Sequence, residues 1–280
     1  MKNSLPSKTG LSFIGCGVMA ESMIAGLLRE KIVGANRIVG SHPRVDRRDE
    51  LEEKYGIRMF EGNADAAARF SGPDAAVVLA VKPQRSGGVL KELSGSVGRE
   101  NLVISIVAGT TVETISAALD NKFIVRAMPN TPSQIGKGMT AWTCTDSVDD
   151  KHRELARVLF NALGKELFVE TENMIDMATS LSATGPTYTF MVMEAMTDAG
   201  VHLGFSREVS KELVQQTMLG SVLFAMESHK HPAELRNMVT SPGGTSAEAI
   251  YQMEKGALRT VLSKAIYGAY RRAVELGKRK

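Results

Sequence analysis

The chain is 280 residues long, 43% hydrophobic and 23% charged, with a formal net charge of +3, which fits a folded protein of two domains and excludes a disordered chain. So small and evenly spread a charge argues against a nucleic-acid partner, and the absence of any run of about 18 uncharged apolar residues argues against a membrane span. Two cysteines, Cys16 and Cys144, far apart and without CxxC spacing, exclude a disulfide framework and point to a reducing, cytoplasmic setting.

Met1–Thr9 is polar and lacks an apolar signal core, which argues against export. Leu11–Ile14 then reads as a short apolar strand running into Gly15-x-Gly17-x-x-Ala20 and a helical pattern over Glu21–Arg29. Strand, glycine turn and helix start in that order put a helix N-terminus where a pyrophosphate can sit. Gly15 permits the tight turn, Gly17 lets backbone approach the phosphates, and Ala20 lets the helix pack closely on the strand. A second strand, Arg37–Gly40, ends in Ser41-His42-Pro43-Arg44, with no carboxylate to take a ribose hydroxyl. Ser41 with Arg44, Arg47 and Arg48 suits a 2′-phosphate instead, so NADPH is preferred over NADH, unless these arginines only decorate a solvated helix beside Asp46 and Asp49.

Further apolar runs at Ala75–Val81, Leu102–Val107 and Phe123–Met128 alternate with helical patterns at Asp46–Tyr55, Ala64–Phe70, Ser86–Ser94 and Val112–Leu119. Continuous apolar strands between helices predict a doubly wound parallel sheet, an α/β fold covered on both faces. A strand pair at Met139–Cys144 and Lys165–Val169, separated by a helix over Asp149–Leu163, extends it. Ligands bind beyond the carboxyl ends of such strands. The small residues and prolines of Ala80-Val81-Lys82-Pro83, Val107-Ala108-Gly109-Thr110 and Met128-Pro129-Asn130 let a flat cofactor lie against the backbone there. Lys82 reads as structural rather than as a proton donor.

After Thr171 the strands stop. Ile175–Leu203, broken at Gly185-Pro186 where proline favours a kink or a fresh start, is followed by helical patterns at Ser206–Glu227, Ala233–Val239, Ser246–Glu254 and Leu258–Leu276. Methionines crowd this part (Met191, Met193, Met196, Met218, Met226, Met238 and Met253), and its thin core predicts that many pack on a second subunit. The expected domains are therefore 1–171, dinucleotide-binding, and 172–280, all-helical and dimerising. The loop Thr240–Glu248 places Gly243 and Gly244 before a helix, with capping-box spacing between Thr245 and Glu248. Its free N–H groups and the hydroxyls of Ser241, Thr245 and Ser246 make a candidate carboxylate site. The five histidines (His42, His152, His202, His229 and His231) lack metal-ligand spacing, so no metal is expected, and His229 and His231 beside Pro232 read as a helix-end loop. Arg271, Arg272, Lys278, Arg279 and Lys280 read as cations complementing a helix C-terminus.

The segments Phe13–Ala20 (FIGCGVMA), Ala80–Pro83 (AVKP), Met128–Pro132 (MPNTP), Ser182–Pro186 (SATGP) and Ser241–Ser246 (SPGGTS), in this order, make the chain resemble the pyrroline-5-carboxylate reductase family over almost its whole length. The resemblance implies an N-terminal Rossmann domain and a C-terminal helical domain that interlocks with its twin in a homodimer, with rings of dimers (a decamer) in some members. It implies that Ile14, Gly15, Cys16, Gly17, Val18 and Met19 hold the dinucleotide, and that Ser41, Pro43 and Asn63, with Arg44, border its adenosine end. Ala80, Val81, Lys82, Pro83, Val107, Ala108, Met128, Pro129 and Asn130 then lie along its middle and nicotinamide end. The same matching gives the substrate Glu172, Ser241, Gly243, Gly244, Thr245 and Ser246, with Ser246 and Thr245 nearest the chemistry. Ser246 stands where the family usually has threonine, and Ala183-Thr184-Gly185 replaces a turn richer in glycine and serine.

The implied reaction is hydride transfer to the imine carbon of 1-pyrroline-5-carboxylate, giving L-proline in the last step of proline biosynthesis. A protonated imine needs no strong general acid, consistent with a sequence that offers no histidine or cysteine pairing in these loops. Two other readings stay open on sequence: reduction of a six-membered cyclic imino acid, and a silent dinucleotide-binding regulator. A hydroxyacid dehydrogenase would need a lysine or histidine within Ser180–Met196, where there is none.

Overall fold

Eight short strands, most of them buried along their length, form a single sheet in the computed structural model, which describes residues 5, 6 and 8–278. Met1–Ser4 and Ser7 of the polar N-terminal stretch, and Arg279 and Lys280 of the basic cluster, lie outside the described residues. The strands are β1 (Gly10–Ile14), β2 (Ile38–Ser41), β3 (Arg58–Phe60), β4 (Ala75–Leu79), β5 (Leu102–Ser105), β6 (Ile124–Met128), β7 (Gly138–Cys144) and β8 (Gly164–Phe168). They are ordered β3-β2-β1-β4-β5-β6-β7-β8 and run parallel except where β7 lies antiparallel to β6. Ile14 stands opposite Ser41 on one side and Leu79 on the other. The chain therefore reverses its direction of travel across the sheet at β1, and the crevice beyond the carboxyl ends of β1 and β4 is where such folds bind ligands.

Alternation along β1 feeds two cores. Leu11 and Phe13 pack with Met23, Ile24 and Leu27 of α1 (Val18–Arg29) and Leu159 and Phe160 of α6 (Asp150–Asn161). Ile14 packs on the opposite face with Leu90 and Leu93 of α4 (Pro83–Leu93) and Ile115 of α5 (Val112–Leu119). Two helices, α2 (Val45–Tyr55) and α3 (Asn63–Ala67), complete the first crossovers. A third, smaller core gathers Met128, Ala141, Val169 and Ile175, with Ala108 and Ala178 packed against it.

Beyond the sheet, α7 (Glu172–Ala178) runs into a π-helical turn at Thr179–Ala183, and α8 (Gly185–His202) starts afresh with Pro186 in its first turn. Proline's missing N–H costs nothing there. Then follow α9 (Arg207–Ser228), α10 (Pro232–Met238), α11 (Thr245–Lys255) and α12 (Leu258–Lys278). His229 ends α9 in the left-handed region, and His231 caps α10 by accepting from the Ala233 N–H, so both histidines serve helix ends. Contacts group residues up to Thr184 with those from Ala269 onward into one unit, and Gly185–Gly268 into another. No helix among the described residues is long and apolar enough to cross a membrane.

Candidate active site

The glycine loop is built by backbone contacts that only small residues permit. Gly15 has φ +84°, and a Cβ there would collide with Val81 Cγ1. The N–H of Cys16 donates to the Ser41 carbonyl (2.9 Å), the Gly15 N–H to Ser41 Oγ (3.3 Å), and the Ala80 N–H to the Ile14 carbonyl (2.9 Å). The loop is thus laced to the ends of β2 and β4. Gly17 is the N-cap of α1 and carries no side-chain cap; a Cβ on it would meet nothing within 4 Å. The N–H groups of Val18, Met19 and Ala20, ahead of the first intrahelical bond from Glu21 to Gly17, have no acceptor within the helix, and this donor-rich helix start suits a pyrophosphate.

A cluster on α2 holds this loop in place. Arg47 donates to the Cys16 carbonyl (3.3 Å), to Glu50 (2.7 Å) and to Glu21, which also accepts from Lys54 and the Tyr55 hydroxyl (2.8 Å each). Burial opposes ionisation of Glu21, but the hydrogen bonds from Lys54, Arg47 and Tyr55 outweigh it and hold its pKa down to about 2. Burial likewise pushes the Cys16 thiol up to about 12, which makes it an inert packing group against Gly40.

The three arginines after β2 divide their tasks. Arg47 is committed to Glu21 and Glu50, and Arg48 donates to the carbonyls of His42 (2.8 Å) and Pro43 (3.0 Å). Arg44, the N-cap of α2, has a side chain 66% exposed and only a loose pairing with Asp46 at 3.7 Å. It is the guanidinium free to turn toward an anion. Ser41 is fully buried; its hydroxyl donates to Asn63 (2.8 Å), whose N–H and amide donate to Glu92 (2.9 and 2.7 Å). Ser41 and Asn63 therefore form a hydrogen-bonded wall, a pairing across 22 positions that sequence spacing does not reveal.

At the other exits, exposed Lys82 is the N-cap of α4 and Pro83 its first residue. Gly109 has φ +74°, and a Cβ there would stand 2.8 Å from the Leu276 carbonyl carbon, so the last turn of α12 lies directly on the loop Val107–Thr110. Asn130 accepts from the Met139 N–H (2.9 Å) and donates to the Ser182 carbonyl (3.3 Å), which fixes Met128-Pro129-Asn130. Glu172 does not stand free: its carboxylate accepts from the Val112 N–H (2.8 Å) and from Arg126 (2.9 Å), while Asp176 takes the other arm of Arg126 (2.7 Å). Arg126, 2% exposed on β6, was hidden in sequence inside the apolar run Phe123–Met128; a lone charge in a buried strand was the signal that something must neutralise it.

In the other unit, Thr240–Ser246 forms a turn closed by the Gly244 N–H on the Ser241 carbonyl (3.0 Å), with Gly243 at φ +69°. The capping box that the Thr245–Glu248 spacing suggests does not form. Gly244, not Thr245, is the N-cap of α11, and no side chain caps that end. Glu248 accepts from Gln252 (2.8 Å) rather than reaching back, because Thr245 already has helical geometry and its hydroxyl lies past the cap position. With the N–H groups of Ala247 and Glu248 turned to the Gly244 carbonyl, those of Thr245 and Ser246 are the ones left open at the helix start. Ser241 and Thr245 are exposed and Ser246 is half-buried.

Comparison with known proteins bears on both ends of the chain. Residues 172–276 match the family model described as pyrroline-5-carboxylate reductase dimerisation, and residues 10–109 match one described as NADP oxidoreductase, coenzyme F420-dependent. The chain is 39% identical to the pyrroline-5-carboxylate reductase of Synechocystis sp. over 96% of its own length and 98% of that protein's. It is 38% identical to that of Pseudomonas aeruginosa, over 95% and 96% of the two chains. Among solved structures, a pyrroline-5-carboxylate reductase of Coxiella burnetii superposes with a TM-score of 0.84 at 36% identity, covering 96% and 98%. The pyrroline carboxylate reductase of Plasmodium falciparum, solved with NADP bound, superposes with a TM-score of 0.87 at 28% identity over 97% and 99%.

Proposed function

The chain belongs to the pyrroline-5-carboxylate reductase family, and on that premise we propose that it reduces 1-pyrroline-5-carboxylate to L-proline with NADPH. The observation that carries this reading is the glycine loop: it closes tightly on Val81 at Gly15 and opens into free space at Gly17, in a chain that matches a family member over 96% of its length. Bound NADPH supplies the hydride that the imine carbon receives. The chain's own groups bind and orient. N–H groups of Val18, Met19 and Ala20 take the pyrophosphate, and Arg44 takes the 2′-phosphate through charge-assisted hydrogen bonds. Ser41, Pro43 and Asn63 border the adenosine end, and Ala80–Pro83, Val107, Ala108 and Met128–Asn130 line the rest. Open N–H groups at Thr245 and Ser246, with the hydroxyls of Ser241 and Thr245, hold the ring carboxylate at the positive end of α11.

The substrate's ring nitrogen arrives protonated and keeps that proton in the product, so no side chain has to deliver one. The Ser246 hydroxyl accepts a hydrogen bond from it and fixes the ring face presented for reduction. Catalysis on this reading is positioning in a field of fixed dipoles. The functional division falls at 171/172, with nucleotide binding before it and association after it. The protein is a homo-oligomer through its helical part; rings of dimers and a cytoplasmic location complete the proposal.

NADPH consumption by the purified protein with the five-membered imine and, in parallel, the six-membered one tests it. Turnover on the five-membered ring is expected, and preference for the six-membered ring or no turnover on either overturns the substrate assignment. Arg44→Ala should raise the KM for NADPH by about fivefold and leave that for NADH alone, the size of one charged hydrogen bond at an exposed site; equal effects on both would remove Arg44 from the 2′-phosphate.

A further inference from the structure

Arg126 is a costly residue to keep where it is. It lies on β6 with 2% exposure, and its Nε has no acceptor among the described residues. Its two remaining nitrogens meet Glu172 (2.9 Å) and Asp176 (2.7 Å), four residues apart on one face of α7. Replacing such a buried cluster by apolar side chains is often neutral or stabilising, so ion pairing alone is a weak reason for it. Its geometry supplies a better one. The same oxygen of Glu172 that meets Arg126 accepts the Val112 N–H at the start of α5, directly after the loop Val107–Thr110. Arg126 itself stands two residues before Met128. On its apolar side α7 presses Ile175 and Ala178 into the small core that contains Met128 and Ala108. The cluster therefore ties α7 to both loops that line the nicotinamide end on the reading above.

We propose that Glu172, Asp176 and Arg126 form a positioning unit: α7 is locked to β6 and to the start of α5 so that Ala108 and Met128 stand at fixed places beside the cofactor. Glu172 acts through Arg126 and Val112, not on the substrate ring. This rests on the reductase reading, but NADPH binding reports on it even if turnover assigns another substrate. Asp176 is the informative member, since it touches Arg126 without touching Val112.

The test compares Glu172→Gln, Asp176→Asn, Arg126→Lys and Arg126→Met with the wild type, reading NADPH affinity from nucleotide fluorescence and, separately, kcat and both KM values. Glu172→Gln and Asp176→Asn should behave alike, each weakening NADPH binding about fivefold, the usual size of coupling through a packed network, with the imine KM within about twofold of wild type. Arg126→Lys should recover part of what Arg126→Met loses. If Arg126→Met does not fold, the two carboxylate variants still decide. A selective rise in imine KM for Glu172→Gln, with Asp176→Asn unchanged, would make Glu172 a substrate contact and overturn the proposal. Wild-type NADPH affinity in both carboxylate variants overturns it equally.

Discussion

The two units bury their apolar residues in different ways. In the sheet unit every residue of β1, β4 and β6 is buried, and helices cover both faces. In the helical unit α8, α10 and α11 bury no residue, and α9 buries only Ser210 and Val214, while Phe190, Met191, Leu219 and Phe224 are each at least half exposed. One unit completes an interior from its own chain; the other carries half of one. That is the physical content of a dimerisation domain: large apolar side chains left in water by their own chain.

The contrast breaks most sharply at Phe224, 50% exposed on α9. A substitution at an ordinary surface site changes stability by no more than about 0.5 kcal/mol, whereas an aspartate buried in a subunit interface costs about 2–4 kcal/mol of association. Phe224→Asp should therefore shift the protein to monomer in light scattering and abolish turnover; an unchanged oligomer would place this face in solvent. Within the sheet unit the largest effect belongs to Gly15. A side chain there meets both a positive φ and Val81, so Gly15→Val should destabilise by about 1–3 kcal/mol in urea unfolding. Gly17→Ala sharpens the point: with open space around it, unfolding should lose no more than about 1 kcal/mol, the cost of alanine at an N-cap, while NADPH binding falls. If both variants unfold alike, the loop is not divided between a closed and an open glycine.

A smaller effect lies at the start of α11. Ser246→Ala should lower kcat/KM about tenfold, close to 1.4 kcal/mol, with the melting temperature unchanged, as expected for loss of one hydrogen bond to a charged ring. Wild-type kinetics would remove Ser246 from the ring nitrogen. Smallest is the acid response of the sheet unit. Glu21 has its pKa held at about 2 against an ordinary 4.5, so its contribution is complete above pH 4.5 and is lost as pH falls from there toward 2. Partial solvent exposure limits it to about 1 kcal/mol. Glu21→Gln should flatten that part of the acid-unfolding curve, and an unaltered curve would show that the Arg47 clamp adds nothing to stability.

What could be read from sequence follows the range of the interactions involved. β1, β4, β5 and β6 stood out because burial on both faces leaves a mostly apolar run, interrupted only by single residues such as Ser12 and Arg126. The helices of the second unit stood out because their ends carry local signals: Ser206 caps α9, Pro232 opens α10, Gly244 precedes α11. β3 escaped notice, being three residues in which only Met59 is buried, too short to set a period. Antiparallel pairing of β7 with β6 is likewise a property of the partner strand and not of either segment. In the site, the glycine loop was legible because its chemistry is written in consecutive residues. The Ser41–Asn63 wall and the Arg126 cluster were not, since each joins residues that meet only when distant strands and helices are assembled.

If a second copy covers the apolar face of the helical unit, as the homo-oligomer proposed above requires, protein concentration becomes a variable of folding itself. For a dimer that unfolds as it separates, each tenfold dilution removes about 1.4 kcal/mol from the balance. Thermal unfolding of this protein should then begin earlier in dilute solution than in concentrated solution. Activity per molecule should also fall off at the low end of an enzyme titration.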